Sequence, residues 1–235
     1  MSHPKLPYEG DLEKTALIHQ LINIPLEKRD QNWVYLFAVN VPDASFRCGD
    51  PQVIMGPDGF PYFQLLIPEV GQPFECYVVN FLKEALLKEG LGIVLNAGKG
   101  QPDWVCSYGD LLNFYLHGEF YSTMPAAVDS ASEALSAYEE AWVGQPSETY
   151  LPAMTRAVLR HYLIQVGVKD PKVLLMLPAK SEPSQLSLVF NISPDLFESE
   201  DHYLEIKNRI GWFLPRQYLI FGVEENAMKN HFKPL

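Results

Sequence analysis

A chain of 235 residues with 47% hydrophobic, 12% aromatic and 20% charged residues has an ordinary globular composition, which excludes a disordered or fibrous protein. Its length suits two small domains burying about 70% of their unfolded surface, so no disulfide framework is needed. The formal net charge of −11 opposes non-specific binding to nucleic acid and to anionic membranes, since both are polyanions.

No apolar run approaches the roughly 18–20 residues that a membrane helix needs. The opening Met-Ser-His-Pro-Lys-Leu-Pro-Tyr-Glu-Gly lacks the basic patch and apolar stretch of a signal peptide. Cys48, Cys76 and Cys106 have no C-x-x-C spacing and fit reduced thiols. The expectation is a cytoplasmic protein with no membrane segment.

From Asp11 to Ile22, Leu12, Ala16, Leu17 and Leu21 recur at helical spacing, with Asp11 as N-cap and Pro25 closing the segment. The continuous apolar and aromatic run Trp33–Val39 reads as a buried strand. Gln52–Met55 and Phe60–Ile67 read as a hairpin around Gly56-Pro57-Asp58-Gly59, where proline presets φ and Asp-Gly accepts left-handed angles. Phe74–Glu89 carries an apolar helical stripe and ends at Gly90. Leu91–Leu95 and Trp104–Cys106 read as short strands, and Ser107–Leu116 as a helix stopped by Gly118.

Residues 121–142 turn rich in Ala, Ser and Glu and read as a connector. Beyond it, Val158, Leu159, Tyr162, Leu163 and Val166 give a helix face, with Pro152 in the first turn. Strands Lys172–Leu177 and Gln185–Ile192, a helix Pro194–Phe213 and a final strand Gln217–Val223 follow. The fold class expected is α+β: two tandem small domains, 1–120 and 143–235, each with a mostly antiparallel or mixed sheet covered by helices.

Little of the chain carries recognisable chemistry. Gly92-Ile-Val-Leu-Asn-Ala-Gly98-Lys99-Gly100 follows a strand as a phosphate loop does, but its spacing is one residue too long. It has Gly100 where the metal-binding hydroxyl belongs, and Gln101-Pro102 where a helix should start. G-x-G-x-x-G is absent. The histidines (His3, His19, His117, His161, His202, His231) form no metal-ligand spacing, so neither metal nor cofactor is expected. Cys48, flanked by Arg47 and Asp50, is the most exposed-looking thiol, and Arg47 could stabilise its thiolate.

Two sets of residues stand out as binding candidates. The loop from Asn96 to Trp104 brings together an amide (Asn96), a lysine (Lys99), a carboxylate (Asp103) and an indole (Trp104). Between Lys99 and Arg156 there is no Lys or Arg but eight acids, of which Glu133, Glu139, Glu140 and Glu148 would form an acidic docking face for a basic partner. A solvated face that aids solubility is the plainer reading of the same charges.

Phe60-Pro-Tyr-Phe-Gln-Leu-Leu-Ile67 and Leu91-Gly-Ile-Val-Leu-Asn96 resemble the N-terminal domain of the enhanced-serine-sensitivity (SseB) family. Ala97 stands where that family usually has proline. Val143-Gly-Gln-Pro-Ser-Glu-Thr-Tyr-Leu-Pro152 resembles the family's C-terminal domain. The resemblance implies a two-domain protein with no established enzymatic activity, cofactor or catalytic residue. The function expected is therefore a non-enzymatic cytoplasmic interaction or regulatory protein with a protein partner, of unspecified oligomeric state. The alternatives are an immunity protein neutralising a basic toxin, and an enzyme with an unrecognised site, for which Cys48 and the Asn96–Trp104 loop are candidate places.

Overall fold

The computed structural model describes residues 10–69, 71–122, 141–178, 186–228 and 230–235. The chain divides into two compact units, Met1–Phe120 and Tyr121–Leu235, each with its own sheet. Both are α+β.

Unit 1 opens with helix α1 (Leu12–Ile22), whose cap is Asp11: its carboxylate accepts from the Glu13 and Lys14 amides. Helix α2 (Gln31–Asn40) follows, where the sequence suggested a strand. A continuous apolar run has no period and cannot separate the two on its own. What decides it is local and tertiary: Asp30 caps the first turn by accepting from the Trp33 amide at 2.9 Å, and Trp33 and Phe37, one turn apart, stack and are buried together.

The hairpin stands as expected. Strands β1 (Arg47–Met55) and β2 (Pro61–Leu66) pair antiparallel around Gly56–Gly59, with Gly59 at φ 77° and Asp58 accepting from the Phe60 amide. Helix α3 (Val79–Glu89) starts five residues later than the apolar stripe suggests. Tyr77 exchanges two 2.8 Å backbone hydrogen bonds with Phe46, which holds residues 74–77 out of the helix. Gly90 (φ 74°) ends α3 and leads into β3 (Gly92–Leu95), which lies parallel to β2. Strand β4 (Trp104–Cys106) pairs antiparallel with β3, giving the order β1-β2-β3-β4. Helix α4 (Tyr108–His117) begins with a Ser107–Asp110 capping box and ends at Gly118. Phe37, Phe46, Leu65, Ile93, Leu95 and Leu111 form the centre of the core.

Unit 2 begins, among the described residues, with β5 (Ala141–Gly144), so the last two residues of the expected connector belong to a strand. Helix α5 (Ala153–Gln165), strands β6 (Lys172–Pro178) and β7 (Ser187–Phe190), helix α6 (Glu200–Gly211) and strand β8 (Leu219–Gly222) follow. The sheet runs β5-β6-β7-β8, with β7 and β8 parallel and the other pairs antiparallel. The expected helix 194–213 is broken in two. Pro194–Leu196 makes one 3-10 turn, Phe197 is extended, and Ser199 caps a fresh helix by accepting from the His202 amide. Strand β8 is not the last element either: helix α7 (Glu225–Met228) leads to β9 (Lys233–Pro234), which pairs with β6. Leu174, Met176, Val189 and Phe232 pack as the core on one sheet face.

Candidate functional site

The two ends of the Asn96–Trp104 loop form a latch: Asn96 and Trp104 are buried, while Gly98, Gly100 and Gln101 between them are exposed. Asn96 leaves β3 in the left-handed region (φ 56°), which asparagine tolerates better than most side chains. Its amide oxygen accepts from the Ile67 N–H at 3.2 Å and its Nδ2 donates to Asp103 Oδ2 at 2.7 Å. From 74 positions upstream, Arg29 donates Nη1 to the Asp103 carbonyl (2.9 Å) and Nη2 to Asp103 Oδ1 (3.1 Å). The same guanidinium donates to the carbonyls of Ile22 and Ile24 and lies 4.7 Å over the Trp33 ring. Trp104 is buried against Phe37 and Phe120, at centroid separations of 5.4 and 5.2 Å. Asn96 and Asp103 thus tie the exit of β3 to the end of α1 through Arg29, Trp104 packs β4 on α2, and Lys99 lies in the 3-10 turn Ala97–Lys99. Arg29 carries no sequence signal of its own, because its partner is set only by the fold.

Two open clefts meet at Arg47, on β1. The larger, of about 400 Å³, has an apolar wall of Ile22, Leu66, Ile67 and Pro68. His19, Asn23, Glu69 and Asn96 supply its polar rim. The smaller, of about 250 Å³, lies against Cys48, Phe74, Glu75 and Tyr77. Arg47 and Glu69 line both. Arg47 Nη2 donates to Glu69 Oε1 at 3.2 Å, while Arg47 Nε is buried with no hydrogen-bond partner among the described residues. Gln72 donates to the other Glu69 oxygen at 2.6 Å.

The surroundings of Cys48 disfavour its thiolate. Burial pushes its thiol up from the ordinary 9.0, and the charges of Glu75 and Asp50 push in the same direction. The Arg47 guanidinium, expected to favour the thiolate, pairs with Glu69 instead. Tyr77, in the same cleft, is likewise pushed up by burial and by its hydrogen bond to Glu75. Cys106 is fully buried in β4 and Cys76 partly so. Among the described residues no group of three or more His, Cys, Asp or Glu side chains is placed to hold a metal ion.

Of the acidic candidates, Glu133, Glu139 and Glu140 lie outside the described residues. Glu148 accepts from the Ala153 amide at 2.8 Å and so caps α5. Two other acids of the same stretch face inward: Asp103 in the latch, and Asp110 in the α4 capping box.

A feature that sequence reasoning missed is the outward face of α2. Val34, Tyr35 and Val39 are 40%, 64% and 45% exposed, with Ala38 between them. Taking Trp33 as origin at 100° per residue, Val34, Ala38, Tyr35 and Val39 sweep the arc opposite Trp33 and Phe37. Beyond its first turn, where Gln31 and Asn32 are exposed on the same side, this helix is apolar on both faces, whereas a helix at a protein surface ordinarily turns polar residues outward. The signal was the apolar run itself, since an apolar segment read as a helix leaves one face without a cover.

No family model matches this chain, and neither does any curated protein or solved structure. No helix among the described residues is long and apolar enough to cross a membrane.

Proposed function

We propose that the chain is a non-enzymatic interaction or regulatory protein of the cytoplasm, docking a protein partner on the outward face of α2. The observation that carries this reading is the run Val34, Tyr35, Ala38 and Val39 on the solvent side of a helix. Clustered apolar groups of this kind, with a central aromatic, are what protein interfaces use as anchors. The net charge of −11 supports a protein partner over nucleic acid or an anionic membrane. Membership of the enhanced-serine-sensitivity family belongs to the same reading. Its support is the resemblance of Phe60–Ile67, which contains β2, and of Leu91–Asn96, which contains β3.

The test is affinity capture from the native cytoplasm with wild type and with Tyr35→Glu/Val39→Glu, both checked for folding by circular dichroism. A partner held by wild type at low and high salt and lost by the variant supports the reading. A partner retained equally by both overturns it, and release of that partner by salt points to the acidic residues instead.

A further inference from the structure

We infer that the larger cleft beside Arg47 binds a small organic monocarboxylate, with the carboxylate on the guanidinium and the apolar body on Ile22, Leu66, Ile67 and Pro68. The inference is independent of the α2 docking face. A volume of about 400 Å³ is large enough for such a molecule, and the cleft joins an apolar wall to the Arg47 guanidinium, the usual makeup of a small-molecule site.

Arg47 is under-used for an arginine. A guanidinium offers five N–H donors in a planar fork, and the edge formed by Nε and Nη2 matches the two oxygens of a carboxylate. Here Nη2 makes one monodentate bond to Glu69 at 3.2 Å, between side chains that are 39% and 56% exposed. A pair this open contributes little. Arg47 Nε is hidden from solvent and unmatched, which is a cost wherever it occurs. Releasing Glu69 lets the fork turn its Nε–Nη2 edge into the cleft, where a ligand carboxylate satisfies both donors at once.

Of the polar rim groups, Asn23 Nδ2 already donates to the His19 carbonyl and Asn96 Nδ2 to Asp103, which leaves each amide one N–H and Arg47 the only one of these three with a charged fork to offer. A cationic ligand suits the cleft less well, because the carboxylate that would hold it, Glu69, is already shared by Arg47 and Gln72. Glu69 therefore acts as an internal stand-in for the ligand carboxylate, and removing its charge should favour binding.

The probe is benzoate, with isosteric benzamide as the neutral control, titrated into the ¹⁵N-labelled full chain. Backbone amide shifts are followed at Leu66, Ile67, Glu69 and Gly98. Saturable shifts with benzoate are expected, with benzamide about tenfold weaker or worse. Glu69→Gln should tighten benzoate several-fold, and Arg47→Gln should reduce it to the benzamide level. Equal binding of the two probes, weaker benzoate binding by Glu69→Gln, or no saturable shift in either wild type or Glu69→Gln overturns the assignment. Glu69→Gln alters only a half-exposed side chain, so it decides the matter even if Arg47→Gln fails to fold.

Discussion

Replacing Arg29 with methionine keeps an aliphatic stem over Trp33 but removes the guanidinium that closes the latch. Four hydrogen bonds go with it: to the carbonyls of Ile22, Ile24 and Asp103, and to Asp103 Oδ1. The two side chains of the ion pair are 9% and 15% exposed, so this is a buried pair. An exposed pair would contribute about 0–1 kcal/mol, whereas breaking a buried one leaves an uncompensated charge and costs about 3–5 kcal/mol. Against a domain stability of about 5–15 kcal/mol, that is a large share. The assay is urea unfolding followed by tryptophan fluorescence in a Trp142→Phe/Trp212→Phe background, where Trp33 and Trp104 report on unit 1 alone. Adding Asp103→Asn to Arg29→Met should recover part of the loss, because it removes the stranded charge. A loss below about 1 kcal/mol for Arg29→Met, with no recovery in the double variant, would refute the latch.

Three further outcomes follow from the same geometry. Burial alone would raise the Asp43 carboxyl, but hydrogen bonds from Lys14 and Asn80, with the charges of Lys14 and Lys83, hold it below its ordinary 3.8. A depressed folded pKa contributes stability that is complete above the ordinary value and lost as pH falls through the folded one. Denaturant midpoints measured from about pH 5 to about pH 2 should therefore fall less steeply in Asp43→Asn than in wild type, and parallel slopes would contradict this. Glu148→Ala removes the acceptor for the Ala153 amide and should cost unit 2 about 0.5–2 kcal/mol in urea unfolding, as loss of a helix cap does. No change would mean that Glu148 is free to serve another role. Gly92→Ala places a Cβ 2.7 Å from the Cys106 carbonyl oxygen and 2.8 Å from the Tyr62 ring, in an inner strand. Thermal unfolding should show a loss of about 1–3 kcal/mol, and a neutral result would mean that β4 yields more easily than its backbone pairing with β3 implies.

Punctuation was the part of this fold legible in the sequence. Asp11, Ser107, Gly90 and Gly118 mark helix ends through chemistry confined to a few residues, and Gly56–Gly59 marks the hairpin in the same way. Strand against helix could not be told from an apolar run alone: the short run Leu91–Leu95 is a strand as read, whereas the longer run at Trp33 is a helix, apolar on its buried and exposed sides alike. The α3 start depended on Phe46, some thirty positions away from Tyr77, and no local pattern encodes that bridge. Asn96, Asp103 and Trp104 were found as a cluster because they are near in sequence. Their job was not, since it is set by Arg29, 74 residues upstream of Asp103. The Arg47 clefts were legible only in part: Cys48 and Asn96, both singled out in the sequence, line them, but the larger one is assembled from α1, β1, the end of β2 and the exit from β3.

If a partner protein sits on the outward face of α2, site-specific photo-crosslinking in the native cell will capture it there. A photoreactive phenylalanine analogue replaces Tyr35, and in a control chain it replaces Tyr115, which is also exposed but lies on α4. One discrete heterologous adduct is expected from position 35 and none from position 115. No adduct from position 35, the same adduct from both positions, or an adduct only with a second copy of the chain would contradict it.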